Sequence, residues 1–139
     1  MNNKDIIEKA EINEIICRLI YECDLLSITK IMFTAFSIKN MDIYFNPTSK
    51  KFNLMKDVYN SINYGFQTRY DDIKIILQCI EILEDNGFIQ VINGKIKSLK
   101  RPTYSKENIV MNSELFRKTI LDIKKLSDQS FIKGVIENV

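Results

Sequence analysis

Apolar residues recur at three- and four-residue intervals through most of the chain, and the breaks in that rhythm mark its segments. Between residues 5 and 24, Ile6, Ile7, Ile12, Ile15, Ile16, Leu19, Ile20 and Tyr21 recur with charges between them, which predicts an amphipathic helix with one buried stripe. Ser27 is placed to cap a second helix over 28–38. Ile31, Met32, Phe33, Ala35, Phe36 and Ile38 leave that helix little polar face, so it is expected to be central and enclosed by neighbours. The stretch MDIYFNPTSKKFN breaks the rhythm, because Asn46-Pro47 disfavours helix and Thr48-Ser49 initiates a turn; a loop or short extended crossover is expected there. A third helical face follows over 52–64, through Phe52, Leu54, Met55, Val58, Tyr59, Ile62 and Tyr64, with Gly65 as its expected end. Aromatics at a spacing near seven read as a core seam rather than a ligand cage.

The sharpest local pattern starts at Asp71. Acidic residues there suit a helix amino terminus, Ile73, Ile76, Leu77, Ile80 and Leu83 follow at helical spacing, and Asn86-Gly87 stops the run. Phe88, Ile89, Val91 and Ile92 then read as a strand, Asn93-Gly94 as a two-residue turn, and Lys95-Ile96-Lys97-Ser98-Leu99 as the return strand. Helix, short turn and hairpin in that order match the end of a winged helix-turn-helix unit. Beyond Arg101-Pro102, Ile109, Val110, Leu115, Phe116, Ile120, Leu121, Ile123 and Leu126 restore the helical rhythm, and Ser127-Asp128 reads as a break and recap before Phe131, Ile132, Val135, Ile136 and Val139. So apolar a tail must fold back onto the amino-terminal helices or occupy a groove on another subunit. In the second case Phe116, Leu126, Phe131, Ile132, Val135 and Ile136 are the candidate partner-interface residues.

The fold class expected from this pattern is mainly α with a short β-hairpin: a winged helix-turn-helix-like domain with flanking amino- and carboxy-terminal helices. A single domain over 1–139 is expected, with a helical part at 1–65, the winged-helix unit at 66–101 and a helical docking segment at 102–139.

Composition narrows the chemistry. The 139 residues include no histidine, which removes the commonest general base and metal ligand. Cys17, Cys23 and Cys79 form no C-x-x-C pair and read as small buried thiols, so no metal site is expected. Asp71-Asp72 reads as a helix cap rather than a magnesium site, since adjacent helical side chains diverge. No Gly-rich phosphate loop occurs, and a cysteine nucleophile would lack a histidine base. The expectation is a non-enzyme with no cofactor and no small-molecule substrate. The odd cysteine count and the absence of a signal-peptide pattern at the amino terminus point to the cytoplasm, and no apolar run approaches membrane-spanning length.

Twenty basic and 18 acidic residues leave a net charge of +2, too little for a global field that steers DNA. Locally, Lys95, Lys97, Lys100 and Arg101 fall in a window, 93–101, with no acidic residue. They are the candidate DNA-contact residues, and the same lysines equally suit a solvated edge hairpin that resists edge-to-edge pairing. The helix before the hairpin argues against base reading, since Asp71, Asp72, Glu81, Glu84 and Asp85 are offset mainly by Lys74 and Gln78.

Three segments, NEIICRLIYECDLLSITKIMFTAFSIKN, LQCIEILEDNGFIQVINGKIKSL and ILDIKKLSDQSFIKGVIENV, together about half the chain, carry a resemblance to a known group. In their order of elements they resemble the small middle component of bacterial ABC-three-component systems, which include Lamassu-like antiphage defence. Many middle components open on an Asn-Pro-containing segment, whereas here Asn46-Pro47 is internal. The resemblance implies a non-catalytic accessory subunit that sits with an SMC-like or Rad50-like ATPase and an effector such as a nuclease, with DNA backbone contact made within the complex. It also implies that the tail around Phe131, Ile132 and Ile136 and the winged unit are the working surfaces. Two other readings fit the same residues: a homodimeric winged-helix DNA-binding transcriptional regulator, and an antitoxin-like or phage-encoded inhibitor whose tail occludes an enzyme.

Overall fold

A computed structural model of the protein describes residues 3–41 and 54–137. The expected crossover over 41–53 therefore lies, apart from Met41, outside the described residues. The chain is mainly helical with one antiparallel two-stranded hairpin. Its elements are α1 (Asn3–Tyr21), α2 (Ile28–Met41), α3 (Leu54–Thr68), α4 (Asp71–Asp85), β1 (Ile89–Ile92), β2 (Lys95–Ser98), α5 (Ile109–Asn112), α6 (Glu114–Lys125) and α7 (Asp128–Glu137).

Helix α2 is central, as its composition requires. It packs against α1, α3 and α4, and the carboxy-terminal helices α5 and α7 close over it. Ile31, Ala35, Phe36, Ile38 and Met41 are all buried. The second half of α1 is equally enclosed, with every residue from Glu14 to Ile20 buried rather than a single stripe. Ile6 and Ile7, which continue the apolar rhythm in sequence, are exposed, because α1 is covered only along its later turns.

Local signals stop most elements where the sequence places them. Gly87, at φ 77°, ends α4, and Asn93 and Gly94 take positive φ values of 51° and 74° in the tight hairpin turn, a conformation for which Asn and Gly carry the smallest penalty. Ile89 pairs with Ser98 and Ile92 with Lys95. The stretch after Arg101-Pro102 where the helical rhythm resumes forms two helices: Asn108 caps α5, and Ser113 caps α6 by accepting from the Phe116 amide at 3.4 Å. Ser127 caps α7, accepting from the Ser130 amide at 3.0 Å.

Gly65 does not end α3, which continues to Thr68. A Cβ at Gly65 would lie 2.5 Å from both the Phe36 ring and the Asn40 amide, so the glycine is there to let α2 and α3 approach closely. Gly134 does the same in α7, where a Cβ would collide with the Tyr59 ring of α3. Around these notches the aromatics interlock: Phe66 meets Phe36 at 5.4 Å and Phe33 at 6.0 Å, and Phe131 meets Tyr59 at 6.0 Å and Phe33 at 6.4 Å between ring centroids.

A polar junction forms at the start of α2. Ser27 caps the helix by accepting from the Lys30 amide at 3.3 Å and donates to the Asp128 carboxylate at 2.8 Å. The Ile28 amide donates to Gly94 O and the Ile96 amide to Leu26 O, so residues 26–28 lie along the hairpin, with Ser27 bridged to Lys95. Buried Lys30 reaches the end of α6 and donates to the carbonyls of Lys124 and Leu126. An ammonium there complements the carbonyl end of the helix and supplies two of its terminal acceptors with a donor.

Two substitutions test this description. Gly65→Ala should destabilise the fold by about 1–3 kcal/mol through overpacking, and Lys30→Met, which keeps the volume and removes the donor, by about 1–3 kcal/mol. Urea denaturation measures both, and wild-type midpoints would contradict the packing and capping roles given to these residues.

Candidate functional surfaces

The four cations expected to act together, Lys95, Lys97, Lys100 and Arg101, are all exposed. Lys95 and Lys97 alternate with buried Ile96 along β2 and are exposed on the outer face of the hairpin. Lys100 lies with its Nζ 4.8 Å above the Phe88 ring. Arg101 donates to the Tyr104 hydroxyl at 2.6 Å and sits 5.4 Å from that ring. Tyr21 holds this corner by donating to Lys100 O at 2.8 Å while stacking on Tyr104, with ring centroids 6.3 Å apart. The hairpin also carries a carboxylate, since Glu84 accepts from the Val91 amide at 2.7 Å.

Helix α4 packs on α1, α2 and β1 through Ile76, Cys79, Ile80 and Leu83. Its outer side exposes Leu77 beside Tyr70, with Lys74 and Glu81 on the same groove, and elsewhere Asp71, Ile82, Glu84 and Asp85. Tyr70, Ile73, Leu77 and Glu81 line a shallow groove there. The acidic start of α4 does not cap it: the residue before the helix is Tyr70, with no side-chain cap, and Asp72 turns inward. Burial raises the Asp72 carboxyl above its ordinary value; Lys39 pulls it down, Glu8 pushes it up, Arg69 pulls down and Asp71 pushes up. Its Oδ2 finds no hydrogen-bond partner.

The carboxy-terminal segment folds back onto its own chain. Helices α6 and α7 pack on α3, and α7 also meets α2. Three of the side chains expected at a partner interface, Phe116, Phe131 and Val135, are therefore core residues here, with Tyr59 of α3 seated against Gly134 and Phe131 packed on Phe33 and Tyr59. Leu126 and Ile132 are half-buried, and Ile136 is exposed.

Sequence periodicity missed a charged cluster inside α1. Arg18 is 2% exposed, with its guanidinium 3.5 Å from the Glu14 carboxylate and 3.3 Å from that of Glu22. Glu14 also accepts from the Asn108 amide at 2.7 Å, which ties the connection after the hairpin to α1. The legible signal was the double four-residue spacing Glu14, Arg18, Glu22, which suits helical ion pairs whether exposed or buried.

Next to Arg18 opens a cleft of ≈ 590 Å³ between the end of α1, the segment after the hairpin and α6. Arg18, Tyr21 and Glu22 form one side, and Arg117, Leu121 and Lys124 the other, with Arg101 at the rim. Asp24, at φ 53°, turns the chain back beneath it, and the free thiol of Cys23 faces the same space. Burial raises the Cys23 pKa, as does Glu22, while the charges of Arg117, Arg18 and Lys124 all pull it down. The other thiols are buried, and burial with a contribution from Cys79 pushes Cys17 up to about 12. Among the described residues, no three Cys, Asp or Glu side chains are gathered as metal ligands would be, and no helix is long and apolar enough to cross a membrane.

No protein-family model matches the sequence, and neither a curated protein nor a solved structure matches the chain.

The buried carboxyl gives a pH test. The folded-state pKa of Asp72 lies above its unfolded value near 3.8, so the folded chain holds that proton more tightly and loses the advantage as pH rises through the folded value. Asp72→Asn should therefore stabilise the protein at neutral pH, with the gain fading below about pH 4. Thermal unfolding at the two pH values decides it, and a variant less stable at neutral pH would show that the carboxylate is needed there.

Proposed function

We propose that the protein is a non-catalytic adapter, a winged-helix accessory subunit of a cytoplasmic antiviral defence complex that bridges an SMC-like ATPase and an effector such as a nuclease. The observation that carries the adapter reading is the outer side of α4, the helix directly before the hairpin. Its exposed Tyr70 and Leu77 line one groove with Ile73, Lys74 and Glu81, and Asp71, Ile82, Glu84 and Asp85 are exposed along the same helix, four carboxylates against one lysine. Carboxylates repel a phosphate backbone, and exposed large apolar side chains gain from burial against protein. The assignment to a defence complex rests on the resemblance of the three segments described above.

The second reading is a DNA-binding regulator, favoured by the exposed Lys95 and Lys97 on the wing. In that role a hairpin lies along the phosphate backbone and affinity falls steeply with salt.

One pair of variants separates the two. The chain is co-expressed with the product of a neighbouring coiled-coil ATPase gene and purified through its own tag. Leu77→Asp with Tyr70→Asp should abolish recovery of the ATPase while circular dichroism stays helical, and Lys95→Glu with Lys97→Glu should leave recovery intact. Unimpaired recovery by the α4 variant would overturn docking through this face. Salt-dependent DNA binding by the chain alone, lost in the lysine variant, would favour the regulator instead.

A further inference from the structure

We infer that the cleft between α1 and α6 is a binding site for a phosphate ester carried on a planar ring, the chemistry of a nucleotide. Its ≈ 590 Å³ lies within the range of small-ligand pockets. Four cations, Arg18, Arg101, Arg117 and Lys124, line the cleft with two carboxylates, Glu22 and Asp24, and Glu14 pairs with Arg18, so four positive charges against three negative leave a local excess of one.

The arrangement is polarised. Arg117, Leu121 and Lys124 fall at four- and three-residue steps on one face of α6, so both cations point into the cleft with an exposed apolar side chain between them. No ion pair among the described residues engages Arg117 or Lys124, whereas Arg18 at the inner wall is held by Glu14 and Glu22. Arg18 is thereby neutralised by its own carboxylate partners, and the exposed Arg117 and Lys124 are the donors left to engage an anion. At the end of α1 the carbonyls of Arg18 and Leu19 accept from the amides of Glu22, Cys23 and Leu25, and the positive charge of the cleft comes from side chains. Tyr21 and Leu121 contribute apolar surface to the lining, the place for a ring joined to the anion.

This site is separate from the outer face of the hairpin and does not depend on the adapter reading. The same chemistry is presented by a free nucleotide and by the phosphorylated end of a nucleic-acid strand, and the probes distinguish these carriers.

Cys23 serves as the reporter, because it lies in the cleft and is half-exposed while Cys17 and Cys79 are buried. The native full chain is alkylated with iodoacetamide at mildly alkaline pH, and the rate at Cys23 is followed by peptide mass spectrometry. The measurement is repeated with adenosine monophosphate, with a 5′-phosphorylated oligothymidylate and with inorganic phosphate. Protection by either of the first two, with half-protection shifted at least about tenfold in Arg117→Glu with Lys124→Glu, supports the site, and the better probe identifies the carrier. Both substituted side chains are exposed, so the fold should survive, and circular dichroism checks this. Lys95→Glu with Lys97→Glu should leave protection unchanged. Protection by neither probe, protection by inorganic phosphate as strong as by both, or protection that survives the Arg117 and Lys124 substitutions overturns the inference.

Discussion

The junction at the start of α2 is the constraint on which the rest of the structure depends. Within five residues, 26 to 30, the chain pairs with the hairpin, caps its own helix, receives Asp128 from α7 and closes the end of α6. Each bond is modest alone. Together they join segments some hundred positions apart in sequence, and they do so where Ser27 and Lys30 are buried and water is not a competing partner. The aromatic cluster supplies the larger share of apolar burial, but burial alone would tolerate many placements of α6 and α7. Directed donors and acceptors select one.

Elements governed by local chemistry were legible in the sequence. Ser27 as a cap, the Asn93-Gly94 turn, the stop at Asn86-Gly87 and the break at Ser127 all act through neighbouring backbone, and each is found where the sequence puts it. Features decided by distant neighbours were not. Gly65 reads as a helix end when only its own segment is considered, and becomes a contact point once Phe36 and Asn40 are known to lie against it. Arg18 reads as solvent-facing because a charge usually is. Its burial becomes intelligible only with Asn108, ninety positions later, packed over Glu14.

The candidate surfaces divide along the same line. Alternation alone made Lys95 and Lys97 outward-facing residues of a strand. Lys100 and Arg101 follow that strand, where no periodicity specifies direction, and their aromatic neighbours Phe88 and Tyr104 decide it. Apolarity identified the tail as a segment in need of cover, but could not say whether the cover came from this chain or another. Here it comes from α2 and α3. The cleft beside Arg18 had no sequence signature, because its walls come from three separate stretches.

The two helical glycines also govern how the molecule can move. Helix α3 is notched toward α2 at Gly65 and carries the tooth, Tyr59, that fills the notch of α7 at Gly134. Interlocked surfaces of this kind resist sliding, since a displacement along either axis drives a ring into backbone. Shear, the usual small adjustment between packed helices, is thereby suppressed on both sides of α3. A displacement of α7 must instead lift it off α3, and the bonds of Ser27 to Asp128 and of Lys30 to the Leu126 carbonyl hold the start of α7 while it does.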